Sequence, residues 1–304
     1  MRYECGQCGA ALDLEGVRTA TCPYCASPSF VERPAGSHHP DPTFVLAFSG
    51  DAAWARERLG RWIGRRVLIA DPALAKATAL ELRGVYLPAY LYSAVARTDY
   101  TASIGEHYTE VETYTKTAED GTKTTETRNV TRTEYRHLAG EHLGYVTDLL
   151  VSASIGLPHA TFERIEPFDL RQLRRYSPTL ISGWIQEEFS REATECRGVS
   201  RTNAIDSVGD ELRRFLPGDS HADLDWQTRV EWESLDPVLV PVWVFAVRYR
   251  PDRAPVRVVI NGQTGKVTGQ VPLSWWKIAL LALGAAAIVL AIVVLILHFR
   301  EPPP

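Results

Sequence analysis

The feature that most limits how this chain can fold is an uncharged apolar stretch near its C-terminus, Ile278 to Leu297. Twenty helical residues span about 30 Å, the thickness of the hydrocarbon core of a bilayer. Trp275 and Trp276 precede the stretch and Arg300 follows it, and these residue types favour the headgroup region. A buried core helix is the alternative, but such a helix normally carries a polar stripe. We therefore predict a transmembrane tail anchor over residues 275–300.

Two CxxC pairs lie at the opposite end of the chain, Cys5 with Cys8 and Cys22 with Cys25, separated by thirteen residues. This spacing is typical of a structural zinc site, although two disulfides are the alternative. Four thiolates leave no open coordination position, so one Zn²⁺ replaces a hydrophobic core in a segment too small to have one. We predict a zinc ribbon over residues 1–31.

The two ends together predict where the protein resides. The N-terminus lacks the apolar region of a signal peptide, and a cysteine site of this kind needs the reducing cytoplasm. We therefore expect a single-pass protein of the inner (cytoplasmic) membrane. Its N-terminal domains, up to residue 274, are expected on the cytoplasmic side.

Charge excludes two classes of function. The net charge is −4, and the membrane end from residue 272 contributes +1 through Lys277, Arg300 and Glu301, which leaves −5 on the remainder. A nucleic-acid binder that works by bulk positive charge is therefore excluded, as is bulk attraction to anionic lipid. The mean hydropathy of −0.14 is the average of an apolar tail and a polar body.

The middle of the chain predicts an α+β body over residues 44–274. Residues 32–43, rich in Pro and Gly, predict a linker, whose adjacent His38 and His39 are either metal ligands or solvated side chains. Apolar residues at helical spacing predict a helix from Asp51, its N-cap, to Arg66. Its arginines predict a solvated face, with a nucleic-acid contact as the alternative.

Several segments predict β-structure. Gly84–Tyr92 reads as a strand, and the polar residues 100–136, with Asp-Gly at their centre, predict a hairpin without an apolar face that projects into solvent or rests on a partner. Val240–Phe245 repeats the pattern of Leu87–Tyr92 and predicts two related halves. The second copy leads through Val256–Ile260 into Asn-Gly, the residue pair of a type I′ turn, and so predicts a β-meander.

No motif predicts catalysis, and no small-molecule substrate is indicated. The sequence GQTGKV at residues 262–267 lacks the first Gly and the Ser or Thr of a phosphate-binding loop. His107, His137 and His142 flank the polar hairpin without metal spacing or a carboxylate pair. Cys196 is predicted to be a buried or idle thiol.

The motifs together resemble a family of bacterial membrane-anchored zinc-ribbon proteins. They are CxxCG with CPYC, GVYLPAYLY, IEPFDL, PVWVFAVRY, and VVINGQTGKVTGQVP directly before the membrane helix. Members are often described as primosomal protein N′-like, a replication-restart helicase, on the ribbon alone; this chain has no ATP-binding loop. The resemblance implies a non-enzymatic membrane adaptor that anchors phage-shock-protein-A-like partners.

Three functional hypotheses follow. The first is a tail-anchored adaptor whose ribbon, at the far end of a flexible linker, binds a protein partner. The second is a membrane-tethered nucleic-acid-binding ribbon, which is disfavoured because the ribbon offers Arg2 and Arg18 against three acidic residues. The third is a thiol redox sensor that releases zinc on oxidation.

Overall fold

The structure, a computed structural model, describes residues 2–13, 21–33, 40–66, 70–71, 82–117, 123–247, 256–270 and 272–300. It confirms the predicted mixed α+β class. The helices among these residues are α1 (Ala52–Gly64), α2 (His159–Glu163), α3 (Ala193–Phe215) and α4 (Trp275–Arg300), with 3₁₀ turns at Leu170–Gln172 and Pro178–Leu180.

Among the residues that the structure describes, eleven strands form one sheet. They are β1 (Arg2–Cys5), β2 (Ala11–Asp13), β3 (Phe30–Arg33), β4 (Phe44–Val45), β5 (Leu82–Thr117), β6 (Lys123–Ser152), β7 (Arg174–Arg175), β8 (Ile185–Glu187), β9 (Ser220–Val247), β10 (Val256–Asn261) and β11 (Val267–Gly269). The main path runs β11-β10-β9-β5-β8-β2-β1-β3, with β6 on β5 and with β4 joining β7 and β9.

The chain divides into two compact units. The first comprises Met1–Tyr90, Val151–Cys196 and Asp236–Pro304, and the second comprises Leu91–Leu150 and Arg197–Leu235. The predicted linker lies partly outside the described residues, which omit 34–39 and with them His38 and His39. The domain boundaries therefore stay a prediction.

The core of the first unit forms where α1 packs on the end of the sheet. The helix begins as predicted, because Asp51 Oδ1 accepts a hydrogen bond from the Trp54 amide at 2.8 Å. Its buried side chains, Ala55, Leu59 and Trp62, pack in one cluster with apolar side chains of β9 and β10. An amphipathic helix is thereby held by burial rather than by propensity alone.

The core of the second unit forms between α3 and strand residues of the same unit. Ala204, Val208 and Leu212 of α3 cluster with Tyr92 and Val146. Helix α3 thus supplies one wall of this core.

The predicted β-meander is confirmed, but its turn differs. Strands β9, β10 and β11 pair antiparallel, with Ile260 opposite Trp243 and Val267. A type I′ turn needs positive φ at Asn261 and Gly262, whereas Gly265 is the residue of this loop with positive φ, at 73°. The reason is that Asn261 Oδ1 accepts hydrogen bonds from the amides of Gln263 and Thr264 and so builds a longer loop.

The polar hairpin expected at 100–136 belongs to β5 and β6, which pair. Its outer side chains are largely exposed, Tyr108, Val111 and Tyr135 among them, in keeping with the absence of an apolar face. The Asp-Gly turn expected at 119–122 lies outside the described residues. The two segments of similar pattern, Leu87–Tyr92 and Val240–Phe245, lie in β5 and β9, which are neighbours in the sheet. That the chain consists of two related halves stays a prediction.

The ribbon is built into the sheet, which corrects the expectation that it stands free at the end of a linker. Strand β2 pairs antiparallel with β8, placing Leu12 opposite Glu187, and the Glu188 amide donates to the Ala11 carbonyl at 2.9 Å. The physical reason is that the small ribbon sheet otherwise has an unpaired edge at β2.

The terminal helix α4 meets the expectation for a membrane span. Its residues Trp275–Val294 form a helix long and apolar enough to cross a bilayer, and none of this window is buried inside the protein. Trp275 and Trp276, at its start, are 78% and 59% exposed.

Candidate metal centre

Both CxxC pairs fold into the same backbone turn. The Gly9 amide donates to the Cys5 carbonyl, and the Ala26 amide donates to the Cys22 carbonyl, at 2.9 and 2.8 Å. The residue after each second cysteine has positive φ, 72° at Gly9 and 54° at Ala26. Glycine adopts this conformation readily, which explains Gly9, whereas Ala26 adopts it at a cost of about 1 kcal/mol.

These turns bring the four cysteines of the prediction together. All four Sγ atoms lie within 4.8 Å of one another. Cys5 and Cys25 Sγ atoms lie 3.5 Å apart, and those of Cys8 and Cys22 lie 3.7 Å apart. A tetrahedral ion with metal–sulfur bonds of about 2.3 Å separates its sulfurs by about 3.8 Å. The four sulfurs therefore fit one ion, and the cysteines are not joined as disulfides.

Hydrogen bonding and burial shift the pKa values of the thiols in this cluster in different directions. A hydrogen bond from Cys22 lowers the pKa of Cys8 to about 5, whereas the same pair raises the pKa of Cys22. Burial raises the pKa of Cys25 to about 12. A bound metal ion must displace the remaining protons, so metal affinity rises with pH.

The cluster is fastened to the body by a buried carboxylate. Glu187, at the end of β8, is fully buried and accepts hydrogen bonds from the Tyr24 hydroxyl, the Ser154 hydroxyl and, at 3.2 Å, the Gly156 amide. Tyr24 is the residue between Pro23 and Cys25 in the second CxxC pair. Burial raises the pKa of Glu187 to about 7. Burial, and after it the nearby carboxyl of Glu187, raises the pKa of the Tyr24 hydroxyl. Three donors offset the cost of burying this group.

Arg257 of β10 holds the same loop from another side. Its Nε donates to the Tyr24 carbonyl at 2.7 Å, its Nη1 donates to the Gly156 carbonyl, and its guanidinium lies 5.3 Å from the centre of the Tyr24 ring. Gly156 leaves little room for a side chain, since an added Cβ lies 3.0 Å from Ala10, Glu187 and Tyr24. Ribbon and body are therefore closely packed at this point.

A cavity of about 600 Å³ opens beside the cluster. Cys8 and Cys25 lie on its wall together with Tyr24, Arg164 and Arg257. Cys8 is only partly buried, whereas Cys5 and Cys22 are each 1% exposed. One edge of the sulfur cluster is thus accessible from solvent.

The remaining candidate residues stay apart from the cluster. Within the described ranges, the cysteines form the one group of potential metal ligands, and His107, His137 and His142 are not part of it. Cys196 is buried as predicted, its Sγ lies 3.9 Å from the Ser152 carbonyl, and burial raises its pKa to about 11.

Sequence reasoning missed Tyr24, Glu187 and Arg257. Tyr24 and Glu187 are 163 positions apart, and no periodicity relates them. The usable signal was the tyrosine inside the second CxxC pair, because so small a ribbon has little core of its own in which to bury a large aromatic residue.

The fold and the cluster define an α+β protein with a four-cysteine site and, among the described residues, one C-terminal helix of membrane-spanning length. The chain is 24% identical over 245 residues to the uncharacterized protein YdjG of Bacillus subtilis (strain 168), an alignment that covers 80% of this chain and 67% of YdjG. No protein-family model and no solved structure matches the chain.

Proposed function

We propose that this protein is a non-enzymatic adaptor of the inner membrane, anchored by α4 and carrying a structural zinc ion in its ribbon. The observation that carries the proposal is the closed cluster of four cysteines fastened into the sheet through Tyr24 and Glu187. An ion held by four thiolates has no position for substrate, so it serves to stabilise a surface.

The membrane end supports anchoring. No residue in the 20-residue window of α4 is buried in the protein, and an apolar helix of that length is stable in lipid rather than in water. Four cysteines that fit one metal ion favour a reducing compartment, which supports a folded body on the cytoplasmic side. The protein then displays its ribbon and sheet at the inner face of the membrane.

The edge of the ribbon is the surface we assign to the partner. β3 ends the sheet path, and among the described strands it pairs only with β1. Val31, in its middle, is 48% exposed. An exposed edge strand with an apolar side chain is a site for strand addition by another protein. The motif resemblance implies a partner of the phage-shock-protein-A type.

The test is co-purification from cross-linked bacterial membranes with identification by mass spectrometry. Val31→Asp changes the edge strand and leaves the cysteines and Glu187 intact, and Leu180→Asp, at a 41% exposed position elsewhere, is the matched control. We expect the wild type and the control to recover a phage-shock-protein-A-like partner. Val31→Asp should recover about tenfold less of that partner, because burying a valine contributes about 1.5 kcal/mol or more. Equal recovery with both variants contradicts the assigned surface.

A redox sensor is the second candidate, favoured by the position of Cys8 on the wall of the cavity. An oxidant that enters there meets a metal-bound sulfur and releases the ion. Zinc release on addition of hydrogen peroxide, followed with a colorimetric chelator, tests this. Cys196→Ser, which removes the buried thiol, should release zinc at the wild-type rate. Retention of zinc until the protein unfolds contradicts a sensor.

A further inference from the structure

The C-terminal end of α1 lies beside the start of the membrane helix. Ala70 forms a β-bridge with Leu273, and the Asp71 amide donates to the Pro272 carbonyl at 2.9 Å. The Lys277 ammonium donates to the Ala70 carbonyl at 3.0 Å. Ala70 is itself tied to the helix end, because its amide donates to the Arg66 carbonyl at 2.9 Å. Ala70 and Asp71 are thus joined to the chain just before α4 and to its first turn, and the Ala70 amide links them back to Arg66, two residues after the end of α1.

This end of α1 is strongly basic. Arg58, Arg61 and Arg65 follow the i, i+3, i+7 spacing of one helix face, and Arg61 and Arg65 are exposed. Arg66 lies over the Trp62 ring, with its guanidinium 4.1 Å from the ring centre, and so is held at the helix end.

Few acidic groups oppose these charges. Glu57 pairs with Arg61 at 3.2 Å, one turn before the end, and Asp71 lies next to Ala70. With Lys277 added, the described residues around the membrane entry point carry an excess of positive charge. The acidity of the rest of the chain does not cancel this excess, because charges more than about 8 Å away are screened at physiological salt.

We propose that the basic patch formed by Arg61 of α1, Arg65 and Arg66 directly after it, and Lys277 of α4 docks on the anionic phospholipid headgroups that surround α4. The inference rests on the membrane anchoring proposed above. Each Lys or Arg close to an anionic bilayer raises the equilibrium constant for contact with that bilayer about fivefold. Local contact of this kind holds the body against the membrane, although the protein as a whole is acidic.

The experiment uses the full chain in nanodiscs made of phosphatidylcholine alone or mixed with phosphatidylglycerol. Amide hydrogen exchange is followed by mass spectrometry in residues 61–66, where the helix ends. We expect several-fold slower exchange there in the anionic discs, and a loss of this difference at high salt. Equal exchange in the two kinds of disc overturns the docking surface.

Matched variants identify the charges. Arg61→Gln combined with Arg65→Gln leaves the stack of Arg66 on Trp62 intact and is expected to remove most of the difference between the discs. Arg213→Gln combined with Arg214→Gln, in the last turn of α3, is the control and should keep the difference. A difference that persists in the first variant overturns the assignment. A wild-type chain that fails to enter either disc overturns the membrane anchor, and the docking with it.

Discussion

At the level of single residues, Glu187 brings together two distant parts of the chain. Its carboxyl accepts from Tyr24 in the ribbon and from Ser154 and Gly156 in the loop after β6. A buried carboxyl that loses one of its donors is left partly unsatisfied in a medium of low dielectric. Glu187 therefore couples the stability of the ribbon to that of the body, alongside Arg257 and the pairing of β2 with β8.

Tyr24→Phe tests this coupling. The change removes the donor hydroxyl and leaves the ring under Arg257, so we expect a loss of about 1–3 kcal/mol in the free energy of unfolding. The measurement is denaturant unfolding in detergent with zinc present. Tyr114→Phe is the matched control, because its hydroxyl also donates to a glutamate, Glu126, but at an exposed site. A Tyr24→Phe variant as stable as the control contradicts the role of Glu187.

Glu166 predicts part of the pH dependence of stability. Burial, followed by the nearby Glu163, raises the pKa of Glu166 from 4.5 to about 7. The folded state therefore holds a proton that the unfolded chain releases, and the free energy of unfolding falls as pH rises through this window. Glu166→Gln should make that decline smaller and leave the part due to Glu187, whereas Glu134→Gln, at an exposed hairpin position, should retain the full decline. Unfolding curves across the window provide the measurement, and the same decline in both variants is the contrary result.

The cysteine cluster was the part of the site that residue patterns could predict. A spacing of two residues within each pair limits where the sulfurs can point, whatever the rest of the chain does. The partners of Tyr24 depend on tertiary contacts, since Glu187 and Arg257 reach it from β8 and β10. Local sequence carries no signal for such contacts.

At the level of elements, helix α1 followed its sequence closely. Apolar spacing and the Asp51 cap predicted both its buried face and its start. Strand β5 was predicted in its apolar start and, through the central Asp-Gly, in its polar hairpin arm. Only short segments of β9 were predicted, because a polar strand without a buried face lacks the alternation that marks a strand. The turn after β10 was predicted wrongly, since the side chain of Asn261 determines a longer loop.

Removing the cap of α1 is expected to weaken the helix. Asp51→Ala deletes the acceptor of the Trp54 amide and should cost about 1 kcal/mol in the free energy of unfolding. Asp51→Asn keeps an acceptor and should cost much less. The comparison is made by denaturant unfolding of both variants in detergent, and equal losses in the two would show that capping is not the cause.

At the level of the whole molecule, the chain combines a polar α+β body with a long apolar helix. The sequence alone predicts this division, because a core helix normally carries a polar stripe and the twenty uncharged residues 278–297 have none. The placement of the ribbon did not follow from sequence. A Pro- and Gly-rich segment at 32–43 predicted separation, whereas pairing of β2 with β8 joins the ribbon to the sheet.

Deletion of residues 275–304 is expected to release the protein from membranes. The apolar helix then no longer contributes its transfer free energy, and the remaining acidic body has no bulk attraction to lipid. Alkaline carbonate extraction followed by flotation measures the membrane fraction. Deletion of residues 301–304 alone is the control and should leave the protein in the membrane, whereas extraction of the full chain by carbonate contradicts a spanning helix.

The most direct test of a zinc ribbon built into the body is hydrogen exchange in β8 before and after removal of the metal. The Glu188 amide, which donates to Ala11 of the ribbon, and its neighbours in β8 should exchange faster once a chelator removes zinc, and slow again when zinc is restored. Residues 204–212 of α3, in the second unit, should be unaffected. Unchanged exchange in β8 on loss of zinc would contradict the account.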